Sequence, residues 1–160
     1  MHKILTPNEA VTLSNELQKQ NKKIILAGGC FDLLHIGHIH FLEQAKKAGD
    51  ILFVFLEHDA TIKKLKGDNR PINTQEDRAK ILAALTIVDY VVMLPEQTDN
   101  AFYDDLVIQL KPAIIAATQG DPNRHHKERQ AKQIGATVVD VITPITNQST
   151  THLISVLKEI

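Results

Sequence analysis

The sequence predicts an α/β fold: one doubly wound, five-stranded parallel sheet with helices on both faces. Three observations predict it. Short apolar, β-branched runs at 23–27, 51–56, 88–94, 113–117 and 137–142 alternate with amphipathic stretches of helical spacing at 37–48, 74–85, 100–110, 123–134 and 150–160. No run alternates cleanly between apolar and polar residues, so each reads as a strand buried on both faces. The β-α-β-α order from position 23 onward requires right-handed crossovers, and these make the sheet parallel.

The first element is a helix that precedes this core. Thr6-Pro7-Asn8-Glu9 offers an N-cap threonine, proline at the first helical position and a capping-box glutamate, and the helix is expected over about 7–19. The 160 residues suit one domain over 1–160, with no repeat, low-complexity tract or linker. An apolar share of 43% and a net charge of -1 exclude disorder and give no basic face for nucleic acid. Cys30 is the only cysteine, so no intramolecular disulfide forms. No segment approaches the roughly 18 apolar residues of a membrane span, and 1–7 has no signal-peptide run. The cytoplasm is the expected compartment.

In doubly wound sheets, ligands bind beyond the carboxyl ends of the strands. The loop after the first strand reads Gly28-Gly29-Cys30-Phe31-Asp32-Leu33-Leu34-His35-Ile36-Gly37-His38. Paired glycines let an anion approach the main chain, and the helix starting near Gly37 turns its free N–H groups toward the same space. His35 and His38 straddle that helix start and add imidazole donors. The segment lacks both the lysine of a P-loop and the three-glycine dinucleotide fingerprint. Capping alone is the plain alternative for the histidines. A zinc site with His40 is a poorer one, because Cys30 does not complete a ligand set. After the second strand, Lys63, Lys64, Lys66 and Arg70 place four cations within eight residues, read here as a mobile loop or a merely solvated one. Arg78 serves equally well as a surface ion pair or a site residue. Ser149-Thr150-Thr151 caps a helix, and a capped helix start also binds phosphate.

Gly29 to His38 resembles the signature of the HxGH nucleotidyltransferases, the cytidylyltransferase-like group. Further matches are Lys63-Lys64-Leu65-Lys66-Gly67-Asp68-Asn69-Arg70-Pro71, Glu76-Asp77-Arg78, Val88-Asp89 and Ser149-Thr150-Thr151. The lysine segment is most similar to that of the heptose-phosphate adenylyltransferases. The resemblance implies a Rossmann-like fold, and an enzyme that transfers a nucleoside monophosphate from a nucleoside triphosphate to a phosphorylated small molecule. His35, His38, Lys64 and Lys66 become the catalytic set. Gly28, Gly29, Cys30, Phe31, Asp32, Gly37, Gly120, Asp121, Ser149, Thr150 and Thr151 become nucleotide contacts. Magnesium accompanies the triphosphate, no residue is assigned to a metal, and a homodimer is expected. His125 and His126 are read as surface residues.

Such a reaction needs no general base, because the attacking phosphate is already an anion; it needs positioning and charge stabilisation. Thr86 and Pro144 stand where the glycerol-phosphate cytidylyltransferases carry arginine, which favours ATP and a sugar phosphate over CTP and glycerol phosphate. The stretch 118–126 follows neither branch. Class I aminoacyl-tRNA synthetases share a His-Ile-Gly-His string, but need a larger chain and a second lysine signature. A non-catalytic nucleotide-binding module would not need both histidines and the lysine segment.

Overall fold

The computed structural model describes residues 2–96, 99–145 and 149–157. Its elements run β1 (Ile4–Leu5), α1 (Pro7–Lys19), β2 (Ile24–Gly29), α2 (Ile36–Lys47), β3 (Ile51–Leu56), α3 (Asp59–Lys66), α4 (Gln75–Ala84), β4 (Tyr90–Met93), α5 (Asn100–Leu110), β5 (Ile114–Thr118), α6 (Arg124–Ile134), β6 (Thr137–Ile142) and α7 (Thr150–Leu157). The last three positions of the predicted final helix lie outside the described residues. One parallel sheet runs in the order β1-β4-β3-β2-β5-β6, and every pairing in it is parallel. The sheet has six strands where the sequence predicts five. The extra one, β1, pairs Ile4 with Val91 and Leu5 with Val92, and two residues are too few to carry a period.

The α1 capping box forms as read, with Thr6 and Glu9 each satisfying the other's backbone N–H. Alternation along the buried strands feeds two cores. Ile25, Ala27, Leu52, Val54 and Leu56 face α2 and α4, whereas Ile24, Leu26, Phe53 and Phe55 face α1, α5 and α6. A second difference lies after β3. The lysine segment is not a loop: Lys63, Lys64 and Lys66 occupy the last turn of α3, which His58 caps and the buried Ile62 anchors. Cations at a helix C-terminus also complement its dipole. Among the described residues, no helix is long and apolar enough to cross a membrane.

The sheet order reverses between β2 and β5, where β2 continues to β3 on one side and to β5 on the other. β2 pairs with β3 from Ile24 as far as Gly29, but with β5 only at Ile25 and Leu26. Beyond Leu26 the two strands therefore splay. The crevice opens there.

Candidate active site

A pocket of about 500 Å³ fills that crevice. Gly28, Gly29, Cys30 and Phe31 line it from β2, and His35, Gly37 and His38 from the start of α2. Thr118, Gly120, Asp121 and Lys127 face them from β5 and α6, and Ser149 closes the far side. A side chain at Gly29 would press a Cβ to 3.1 Å from the Phe31 ring, so glycine is what lets the turn close. At Gly28 an added Cβ would meet Phe55 at an ordinary 3.7 Å; its bareness matters only toward the pocket. Phe31 itself adopts φ 45, a left-handed backbone uncommon for an aromatic residue and typical of functional turns.

His35 is the N-cap of α2, and its Nδ1 accepts the Gly37 N–H at 3.1 Å. An accepting Nδ1 leaves the ring's hydrogen on Nε2, which makes His35 a donor in its neutral form. Capping α2 through Nδ1 thus does not use the Nε2 hydrogen of His35. The His38 ring stacks on it with centroids 3.8 Å apart and 27° between planes. Burial, the neighbouring His35 and the charge of Lys66 push the His38 pKa down to about 4, while a carbonyl contact at Leu33 pulls weakly the other way. Burial likewise lowers the pKa of His35. Both rings are neutral near pH 7. His38 Nδ1 is buried without a hydrogen-bond partner among the described residues.

The remaining predicted residues sort by position. Lys66 is exposed and does not line the pocket, but its charge disfavours protonation of His38 and favours ionisation of Cys30. Lys64 is exposed on the same turn and does not line the pocket. The Cys30 thiol has its pKa raised, chiefly by burial, and is no nucleophile at neutral pH. Burial opposes ionisation of Asp121, but its bonds from Lys127 Nζ at 2.6 Å and the Asn123 N–H at 2.8 Å outweigh that and hold the carboxyl below its usual range. Ser149 Oγ accepts the His152 N–H at 3.1 Å, as a cap should. Thr150 is buried, with its hydroxyl toward the Leu33 carbonyl at 3.4 Å, and Thr151 is exposed; neither lines the pocket.

Asp32 does not face the pocket. It is 2% exposed, accepts from Arg70 Nε at 2.5 Å and takes the N–H groups of Ile72 and Asn73 at 2.8 and 3.1 Å. It ties the loop after β2 to the chain after α3, and both its carboxylate oxygens are bonded. Arg78 is not the surface ion pair considered above. At 1% exposure it donates to the carbonyls of Cys30, Asn73 and Glu57 at 2.5, 3.1 and 2.8 Å and to Asp59 at 2.6 Å. It thereby joins the ends of β2 and β3 to the start of α3. Lys127, in the pocket wall, escaped the sequence reading; its partner Asp121 lies six positions away.

A family model described as cytidylyltransferase-like matches residues 26–156. The chain belongs to the cytidylyltransferase-like family. Relatives include the "Bifunctional protein HldE" of a Nitratiruptor species, 47% identical over 67% of this chain and 22% of that protein. The protein of the same name from Campylobacter fetus subsp. fetus is 39% identical over 89% of this chain and 29% of that protein. The chain thus spans less than a third of the length of these relatives. Among solved structures, a lipopolysaccharide core biosynthesis protein from Thermoplasma volcanium superposes with a TM-score of 0.62 at 29% identity, over 78% of this chain and 97% of that one. A pantoate-beta-alanine ligase from Francisella tularensis also gives 0.62, at 19% identity over 100% and 79%. That second likeness establishes the cytidylyltransferase-like chain's fold alone.

Proposed function

We propose that the chain is a nucleotidyltransferase that moves AMP from ATP to the phosphate of a sugar phosphate and releases pyrophosphate. The observation that carries this reading is the stacked, neutral histidine pair at the mouth of α2, facing a pocket at the sheet's switch point. An acceptor phosphate oxygen attacks the α-phosphorus in line. The bond from that phosphorus to the bridging oxygen of the β-phosphate breaks, and pyrophosphate leaves with the electron pair. Neutral imidazoles donate hydrogen bonds to the transferring oxygens without giving up a proton, which is what stabilising transient charge requires. His38 serves the α-phosphate and His35 the adjoining phosphates. Gly28, Gly29 and the N–H groups at Gly37 form the floor, and Lys64 and Lys66 neutralise the two reacting phosphates from above. Asp32, Thr150 and Thr151 leave this direct list: the first holds the loop, and the others belong to the start of α7.

ATP as donor and a sugar phosphate as acceptor draw support from the lysine segment, from Thr86 and Pro144, and from the HldE relatives. The solved relative named for lipopolysaccharide core biosynthesis points to the same acceptor class. Magnesium fits poorly as a protein-bound ion. Among the described residues no three His, Cys, Asp or Glu groups could hold a metal, and Asp121, the carboxylate in the pocket wall, is paired with Lys127. The ion belongs to the proposal as a counter-ion of the triphosphate. A cytoplasmic homodimer completes the reading, and sedimentation of the purified chain checks the dimer.

The deciding experiment is pyrophosphate release with ATP or CTP, each against a panel of hexose 1-phosphates, heptose 1-phosphates and glycerol 3-phosphate. Turnover is expected with ATP and a sugar 1-phosphate. Preference for CTP with glycerol phosphate would replace the substrate assignment, and no release with any pair would leave a non-catalytic module.

A further inference from the structure

Lys127 lines the pocket, yet the reaction as described gives it no part. The ladder between β2 and β5 ends at Leu26 and Ile115, so Ala116 is the first β5 residue beyond it. Lys127 Nζ donates to the Ala116 carbonyl at 3.3 Å and to Asp121 Oδ2 at 2.6 Å, which fixes the ammonium where the two strands part. Both side chains of the pair are largely sheltered, at 22% and 14% exposure. Among the described residues that line the pocket, Lys127 is the only lysine or arginine and Asp121 the only aspartate or glutamate. His35 and His38 are neutral, and so is the Cys30 thiol. The pair therefore carries all the formal charge of the lining, and its sum is zero.

A carboxylate in the wall of a phosphate pocket is a liability, because like charges in a sheltered cleft are poorly screened. Burial opposes the ionisation of Asp121, but the bonds from Lys127 and the Asn123 N–H keep it an anion. Removing one partner of such a pair leaves the other charge uncompensated. We propose that Lys127 is a positioning residue of this pocket: it holds Asp121 in the wall, cancels its charge and so admits a polyphosphate. It need not touch phosphate itself, since the phosphate donors His35, His38 and the start of α2 stand on the facing wall. The proposal deepens the transfer reading and rests on it only in taking the ligand to carry phosphates.

The test is calorimetric binding of adenosine, AMP, ADP, ATP and inorganic tripolyphosphate at low salt. Lys127→Met should lose affinity in step with ligand charge, little for adenosine and about tenfold or more for ATP and tripolyphosphate. Lys127→Arg, which keeps the charge, should bind like wild type. The double variant Lys127→Met/Asp121→Asn, whose wall is again neutral, should recover tripolyphosphate affinity to within about twofold of wild type. Asp121→Asn alone, which leaves the lysine unopposed, should bind tripolyphosphate several-fold more tightly than wild type. A loss graded by charge in a protein that releases no pyrophosphate would sink the transfer reading and leave this proposal standing. Four results would overturn it: a loss in Lys127→Met as large for adenosine as for ATP, no loss there, a double variant as weak as Lys127→Met, or no ATP or tripolyphosphate bound by wild type.

Discussion

His38 gives the residue scale its sharpest consequence, because its protonation links the pocket to the fold. In the unfolded chain a histidine takes up its proton near pH 6.5, whereas folded His38 does so only near pH 4. Between those values the unfolded state binds more protons, so the His38 contribution to stability is lost as pH falls from about 6.5 to about 4. His35 acts in the same direction. Denaturant unfolding across that range should therefore show a smaller acid loss in His38→Asn than in wild type, and an NMR titration should place the His38 midpoint well below 6. A midpoint near 6.5 would mean the ring is solvated and not part of a closed cradle. The histidines were legible because three features coincide in a short stretch: a strand end, glycines and a helix start. Lys127 was not, since one lysine on a basic helix is ordinary until its place in the pocket wall beside Asp121 is known.

At the scale of elements, Arg78 is the tie that the resemblance flagged but composition could not place. Its donors hold the ends of β2 and β3 and the start of α3 in one arrangement, so it positions Cys30 and the lysine turn without facing the pocket. Arg78→Met should destabilise the fold by about 3 kcal/mol or more, as loss of one partner in a buried charged network does, measured by urea unfolding. At the sheet's amino end, a Cβ at Gly49 would lie 2.2 Å from Ile25 Cδ1 and 2.9 Å from the Lys23 carbonyl. Gly49→Ala should cost about 1–3 kcal/mol by overpacking, with turnover per folded molecule unchanged. Strand and helix periods exposed nearly every element. The exceptions are β1, only two residues long, and α3, eight residues long, which is separated from β3 by two residues and has a histidine as its cap, so a basic run hid a helix. Its ending was signalled by Gly67, at φ 97.

Over the whole molecule, the sheet's order matters more than its content. A net charge near zero cannot concentrate a polyanion by bulk attraction, so the few cations at the crest must do it. Lys64→Ala and Lys66→Ala should each weaken triphosphate binding several-fold at low salt, and the difference from wild type should shrink as ionic strength rises. The alternation of strands and helices made the parallel sheet readable, but not the position of β5 beside β2 or the splay after Leu26 that opens the pocket. Those depend on tertiary pairing, which a periodic pattern does not encode. The short β1 and the pairing of Asp32 with Arg70, 38 residues apart, were beyond reach for the same reason.

The claim that most needs testing is that the histidine pair acts on the α-phosphate and does not merely cap α2. Pyrophosphate release by His38→Ala, followed alongside its melting temperature and its affinity for ATP, tests it directly. The account predicts a turnover at least about 100-fold below wild type, the usual cost of one preorganised donor, with melting and ATP affinity little changed. Near wild-type turnover in a variant that still binds ATP would contradict it.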